Sequence, residues 1–258
     1  MNEIDLLAVE VHGSVLRVRI DRPQMHNALS RATLAALGDV FTRHAEDESI
    51  RAAVLTGAGE KSFAAGGDMK EFAVIRSDTD ARALHQSANA ALGSVRRFPA
   101  PTVAALNGLA VGGGAELALA CDFRVAARHA KIGYVQATLG ITSGFGGGTD
   151  LMRLLGPGPG LLHALRAEPL GAADALRAGL VDAVAEQDET LEDCLARFLE
   201  PILRRPPLVA RGYKAMALAE RLGAPLERRM QIHEDSFART WTHPEHWAAV
   251  ERRAASRG

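Results

Sequence analysis

Between Thr102 and Ala126 the chain changes character repeatedly, and this stretch constrains the fold more than any other. Thr102 to Leu106 reads as a strand and Asn107-Gly108 as a turn. Gly112-Gly113-Gly114 reads as a tight passage into a helix from Ala115, and Phe123 to Ala126 as another short strand. A helix between two strands carries the chain back to the edge where the first began, so the pattern points to an α/β architecture with parallel pairing.

The flanking sequence follows the same alternation. Leu7 to Val11, a turn at His12-Gly13-Ser14, and Val15 to Ile20 predict a hairpin, in which Leu16, Val18 and Ile20 alternate with Arg17 and Arg19. Ser30 is placed to cap a helix with Leu34, Leu37, Val40 and Phe41 on one face. Ile50 to Thr56 predicts a buried strand, and a helix bearing Leu84, Ala88, Ala91 and Val95 stops before Pro99. After residue 190 the strand signal disappears. Leu191, Leu195, Phe198 and Ile202 form one helical stripe, and Leu226, Met230, His233, Phe237 and Trp241 form another beyond Pro206-Pro207. The expected division is an α/β core over residues 1–190 and a helical region over 191–258, packed on that core or on a neighbouring subunit.

Charge and cysteine usage narrow the function. Lys plus Arg is 30 and Asp plus Glu is 31, a net charge of −1, which gives no global field for nucleic acid. The segment Val103 to Cys121 is apolar but carries Asn107, Glu116 and several glycines, a poor membrane span. Met1 to Asp5 lacks the basic start of a secretory leader, and Cys121 and Cys194 are the sole cysteines. A cytoplasmic protein without a disulfide framework, a nucleic-acid partner or a membrane partner is the expectation.

Familiar catalytic signatures fail on spacing. Gly57 to Ser62 has the Lys-Ser of a phosphate loop, with Glu60 where its last glycine belongs. Gly112-Gly113-Gly114 has Leu117 at the third position of a dinucleotide fingerprint, and His233-Glu234 has Phe237 where a zinc helix needs histidine. No metal-ligand set emerges.

Two other segments carry chemistry. In Ser62 to Lys70, small residues run into a helix start where Asp68 and Glu71 fit a capping pattern. In Asn107 to Leu117, glycines deliver bare amides at a helix N-terminus and Glu116 follows within the first turn. Two such amides meeting at one carbonyl oxygen make an oxyanion hole. The plain structural reading, close helix–strand packing with Glu116 favouring its own helix dipole, accounts for the same residues.

Taken in order, Asp21-Arg22-Pro23, Asn27-Ala28-Leu29-Ser30, Phe63 to Phe72, Pro101 to Asp122, Gly144 to Thr149, Ala175 to Asp182 and Phe237 to Trp241 resemble the crotonase superfamily, the enoyl-CoA hydratase/isomerase family. The resemblance implies a spiral of ββα units with a C-terminal helical oligomerisation region, assembled as a homotrimer or a dimer of trimers. It implies an acyl-CoA thioester substrate and no cofactor beyond the coenzyme A of that substrate. By matching positions, the amides of Gly67 and Gly113 form the oxyanion hole. Ala28, Ala65, Asp68 and Met69 join them along the coenzyme A path, and Glu116 is the first of two acid–base glutamates.

The second glutamate is missing: twenty positions on stands Gln136, which can orient water but is no effective acid or base. Tyr134, Thr138 and Ser143 lie near it in sequence, as a proton source, an ordering contact or plain structure. Gln24 replaces a common lysine, His26 sits beside the expected pantetheine path, and the tail after Trp241 is shorter than the usual family ending. The expected activity is hydration of a 2-enoyl-CoA. Isomerisation or decarboxylation by a single acid–base residue is the nearest alternative, and the loss at Gln136 also allows a non-catalytic acyl-CoA binder.

Overall fold

The computed structural model describes residues 6–255, so Met1–Asp5, which carried the leader argument, lie outside the described residues. β1 (Leu7–His12) and β2 (Val15–Ile20) form the expected antiparallel hairpin, with His12 opposite Val15 across Gly13-Ser14. Helix α1 (Arg31–Arg43) starts where expected, with the Ser30 hydroxyl accepting from the Thr33 amide.

One plan then repeats: a strand for one sheet, a strand for a second sheet, and helix. β3 (Ala52–Gly57) and β4 (Ser62–Ala64) precede α2 (Met69–Phe72) and α3 (Asp78–Arg97). β5 (Thr102–Leu106) and β6 (Leu109–Val111) precede α4 (Gly113–Ala120). β7 (Phe123–Ala126) and β8 (Lys131–Gly133) precede α5 (Gly147–Leu155) and α6 (Pro157–Arg166). β9 (Leu170–Gly171), α7 (Ala172–Arg177) and β10 (Ala183–Val184) close the core. The larger sheet runs β1-β2-β3-β5-β7-β10 and the smaller β4-β6-β8-β9. Apart from the first hairpin and the β8–β9 pair, neighbouring strands are parallel. This is the expected α/β spiral of ββα units.

The larger sheet is buried on both faces, as parallel sheets are. Leu16, Ala53, Leu55, Ala104 and Leu106 point into the main core with Phe41, Phe63 and Phe98. Their neighbours Val15, Ala52, Val54, Val103 and Ala105 point the other way, against Cys194, Leu195 and Leu199 of α8 (Leu191–Leu203). The first C-terminal stripe therefore covers the core sheet of its own chain. Pro206 precedes and Pro207 opens α9 (Pro207–Arg221), since a missing amide costs nothing at a helix start.

Helix α9 is tied to the core by buried ions: Lys214 Nζ reaches Asp122 at 2.5 Å, and Arg221 Nε reaches Asp150 at 2.9 Å. Beyond it come α10 (Leu226–Trp241) and α11 (Pro244–Ala255). The second stripe is different in kind: Leu226, Met230, Phe237 and Trp241 are all exposed. Among the described residues no helix is long and apolar enough to cross a membrane, and the apolar stretch 103–121 divides into two strands and a helix.

Candidate active site

The smaller sheet assembles the site. β4, β6 and β8 are adjacent and parallel, so the segments leaving their carboxyl ends emerge side by side. Gly67 follows β4, Gly113 follows β6 and Gln136 follows β8. Residues separated widely in sequence converge for this reason, at the strand ends where open parallel sheets gather ligands.

Gly67 and Gly113 present free amides. Leu29 N donates to Gly66 O at 2.8 Å and Asp68 N to Leu29 O at 3.0 Å. That bridge between residues 29 and 67 uses the neighbours of Gly67 and turns Gly67's own N–H away. Gly113 is the first residue of α4, and a first-turn amide has no partner within its helix. Among the described residues, neither amide donates to any internal acceptor.

The two glycines share one neighbour. A Cβ on Gly113 would lie 2.5 Å from Phe145 Cε2, and one on Gly67 would lie 3.3 Å from Phe145 Cζ and 2.8 Å from Phe72 Cε2. A single buried phenyl ring therefore touches both, braced edge-on by Phe72. Hydrogen at both positions lets the backbones approach this ring. At the same place, a Cβ on Gly114 would meet Ala64 O at 1.9 Å, so the start of α4 lies directly on β4.

Glu116, one turn into α4, is 1 % exposed. Its Oε2 accepts from Ser143 Oγ at 2.6 Å, Phe145 N at 2.9 Å and Gly147 N at 2.7 Å. Its Oε1 accepts from Gln136 Nε2 at 2.8 Å and Gly144 N at 3.1 Å. A buried carboxylate needs this dense supply of donors. The loop 143–147 provides four of them, and α5 then begins at Gly147. Tyr134 supports the loop from behind: its hydroxyl donates to Gly147 O at 2.8 Å. Burial, and then the nearby Glu116 charge, push the Tyr134 phenol well above its ordinary range, which keeps it a neutral prop. Thr138 Oγ1 donates to Val135 O within its own turn and takes no part in this cluster.

The expected coenzyme A residues also gather. Ala65 N donates to His26 O at 3.1 Å, and Arg22 Nη1 donates to Ala28 O at 2.5 Å. Arg22 Nη2 binds the Asp68 carboxylate at 2.9 Å, which also accepts from Glu71 N to cap α2. Burial alone would raise the Asp68 carboxyl, but the Arg22 bond and the amides of α2 outweigh it and hold the group below the usual range. Met69 starts α2 with its side chain exposed, and Gln24 and His26 are exposed as well. Cys121 is no nucleophile, since burial first, and then Asp122, push its thiol up to about 12.

Sequence reasoning missed Phe145 as the shared neighbour of the two glycines and Arg22 as the tie between Ala28 and Asp68. The run Gly144-Phe145-Gly146-Gly147-Gly148 before a helix carried a signal. One large ring among bare backbone marks a place where main chain and ring must meet. A cavity of about 900 Å³ lies elsewhere, between α9 and the core beside Lys214 and Arg221. Position at the strand ends, rather than cavity size, identifies the site.

Comparison with known proteins shows the family and the fold. The sequence profile of the enoyl-CoA hydratase/isomerase family matches residues 10–254. The crotonyl-CoA hydratase of Syntrophomonas wolfei is 38% identical over 218 residues, covering 84% of this chain and 83% of that protein. The short-chain-enoyl-CoA hydratase of Clostridium acetobutylicum is 38% identical over 189 residues, covering 73% and 72%. The solved structure of an enoyl-CoA hydratase from Bacillus anthracis superposes with a TM-score of 0.89 at 30% identity, covering 97% of this chain and 96% of that one.

Proposed function

Because the chain belongs to the enoyl-CoA hydratase/isomerase family, we propose that it adds water across the double bond of a 2-enoyl-CoA. One observation carries the assignment of roles: Gly67 and Gly113, whose amides donate to no internal acceptor among the described residues, abut the same ring through their Cα faces, and the Phe145 amide holds Glu116. In this reading the thioester oxygen sits between the two amides, which donate to the negative charge that develops there. Glu116 takes a proton from water as oxygen bonds to the β carbon, and the π pair moves through the α carbon onto the thioester oxygen. A proton then returns to the α carbon and the enolate collapses to the thioester. Every atom of water ends in the product.

Ala28, Ala65, Asp68 and Met69 line the coenzyme A path, with Arg22 fixing the first and third. The exposed stripe on α10, together with Trp247 and Val250 on α11, supports assembly as a homotrimer or a dimer of trimers. Two buried free thiols suit a cytoplasmic location.

The test is a substrate panel of crotonyl-CoA, a 3-enoyl-CoA and a malonyl-type CoA, with Glu116→Gln beside wild type. The expected result is hydration of crotonyl-CoA, reduced about 10²–10⁴-fold in the variant. Turnover of only the 3-enoyl or malonyl ester would move the assignment to isomerisation or decarboxylation. Tight binding without turnover would make the chain an acyl-CoA binder.

A further inference from the structure

Helix α9 is held off the core by two long charged side chains. Lys214 reaches Asp122 and Arg221 reaches Asp150, two helical turns apart on one face. Between these struts the same face carries Ala217 and Leu218, too little side chain to fill the gap. The space beneath is the cavity of about 900 Å³. Val209, Tyr213, Ala217 and Arg221, each four positions apart, line it along the helix over about 18 Å. Phe123 of β7, Leu154 of α5 and Ile202 of α8 line the opposite wall. Protein interiors close-pack, so an apolar trough of this size and length suits an elongated apolar ligand.

Charge distinguishes the two ends of the trough. At the α8–α9 corner Arg205 lines it, and Arg51 donates to the Arg205 carbonyl. Among the described residues neither guanidinium forms an ion pair, and Glu200 of α8 is taken by Arg204. Arg51 Nε is also buried without a partner among those residues. At the far end Arg153 shares the lining with Glu220, whose carboxylate repels an anion. Uncompensated positive charge therefore collects at the Arg205 end.

We propose that this trough binds a long-chain fatty acid, with its carboxylate at Arg205 and its alkyl chain under α9 toward Leu218 and Leu154. A carboxylate accepts both prongs of a guanidinium, and each buried methylene adds to affinity. The trough opens at the amino ends of β5 and β7, beside Pro101 and Phe123. Gly67, Gly113 and Gln136 instead follow the carboxyl ends of β4, β6 and β8. The ligand is thus a free acid at a second site, and not the acyl chain of a bound thioester.

The test is isothermal titration of the whole chain with dodecanoate, below its micelle concentration, and with butanoate. Dodecanoate is expected to bind, and butanoate, which has the head without the tail, to bind at least about tenfold more weakly. R205Q is expected to weaken dodecanoate about tenfold, and R153Q to leave it unchanged. A217W puts a ring into the trough from an exposed helical position and is expected to abolish binding, with an unchanged melting temperature showing that it folds. F237Q, on the exposed stripe of α10, is expected to bind as wild type does. No binding of dodecanoate, equal losses in R205Q and R153Q, undiminished binding in A217W, or loss in F237Q would overturn the proposal. A fall in oligomeric mass in A217W would also overturn it, by giving the trough to a second copy of the chain.

Discussion

Arg221, on a C-terminal helix, donates to the carboxylate of Asp150 on α5 at 2.9 Å. Arg96 of α3 holds the other oxygen of the same carboxylate at 2.8 Å. Arg221 also donates to the carbonyls of Leu119, Ala120 and Cys121, the open end of the helix that carries Glu116. Cations suit a helix C-terminus, where unpaired carbonyls gather negative charge. One guanidinium therefore fastens the C-terminal helices to both elements that position the Glu116 carboxylate: α4, which bears it, and α5, whose first amide holds it.

Asp150→Asn leaves two arginines facing each other with their shared anion gone. Breaking a buried pair in this way costs about 3–5 kcal/mol. Urea unfolding should show that loss, and Arg221→Met, which removes one partner at the partly exposed end, should show a smaller one.

Gly113→Ala drives a methyl into Phe145 and should lower kcat/KM strongly. Phe145→Ala in the same chain removes the obstacle, so the double variant should recover part of the loss. A double-mutant cycle should return a coupling of about 1–3 kcal/mol. Additive effects would mean that the ring does not bind the two glycines together.

Ser143→Ala removes one of the five donors to Glu116 and leaves Gly148 N, which donates to Ser143 Oγ at 2.8 Å, without its acceptor. A hydrogen bond to a charged group contributes about 1.5–3 kcal/mol. Denaturant titration should register a loss in that range, alongside reduced turnover.

Asp68 gives a pH signature. Its folded carboxyl lies below the unfolded value of 3.8, so its contribution to stability is present above that value and is lost as pH falls through the lower folded one. Asp68→Asn should therefore differ from wild type at neutral pH and converge with it in strong acid. Melting curves across that range should show this convergence.

Phe237→Glu combined with Trp241→Glu places charge on the exposed stripe of α10. If that stripe joins subunits, light scattering should show a fall from the trimeric or hexameric mass to the monomer, with the monomer still folded. An unchanged mass would place the interface elsewhere.

The parts of this molecule written in local sequence were legible from it. Alternation in Val15 to Ile20, the Ser30 cap and the apolar stripe of α8 each depend on neighbours within a turn or a pleat, where periodicity reports burial directly. The two glycine-rich segments were legible as sources of free amides for the same reason. The second sheet was not: β4, β6 and β8 have three residues each, too few for a period to emerge. That sheet sets Gly67, Gly113 and Gln136 side by side, because only parallel pairing of distant strands aligns their ends. The sequence by itself thus determined which residues are available for the chemistry. The meeting of Gly67 and Gly113 at Phe145, and the buried side-chain oxygen of Gln136 that has no partner among the described residues, were decided by tertiary structure, since each depends on contacts between segments that no local pattern connects.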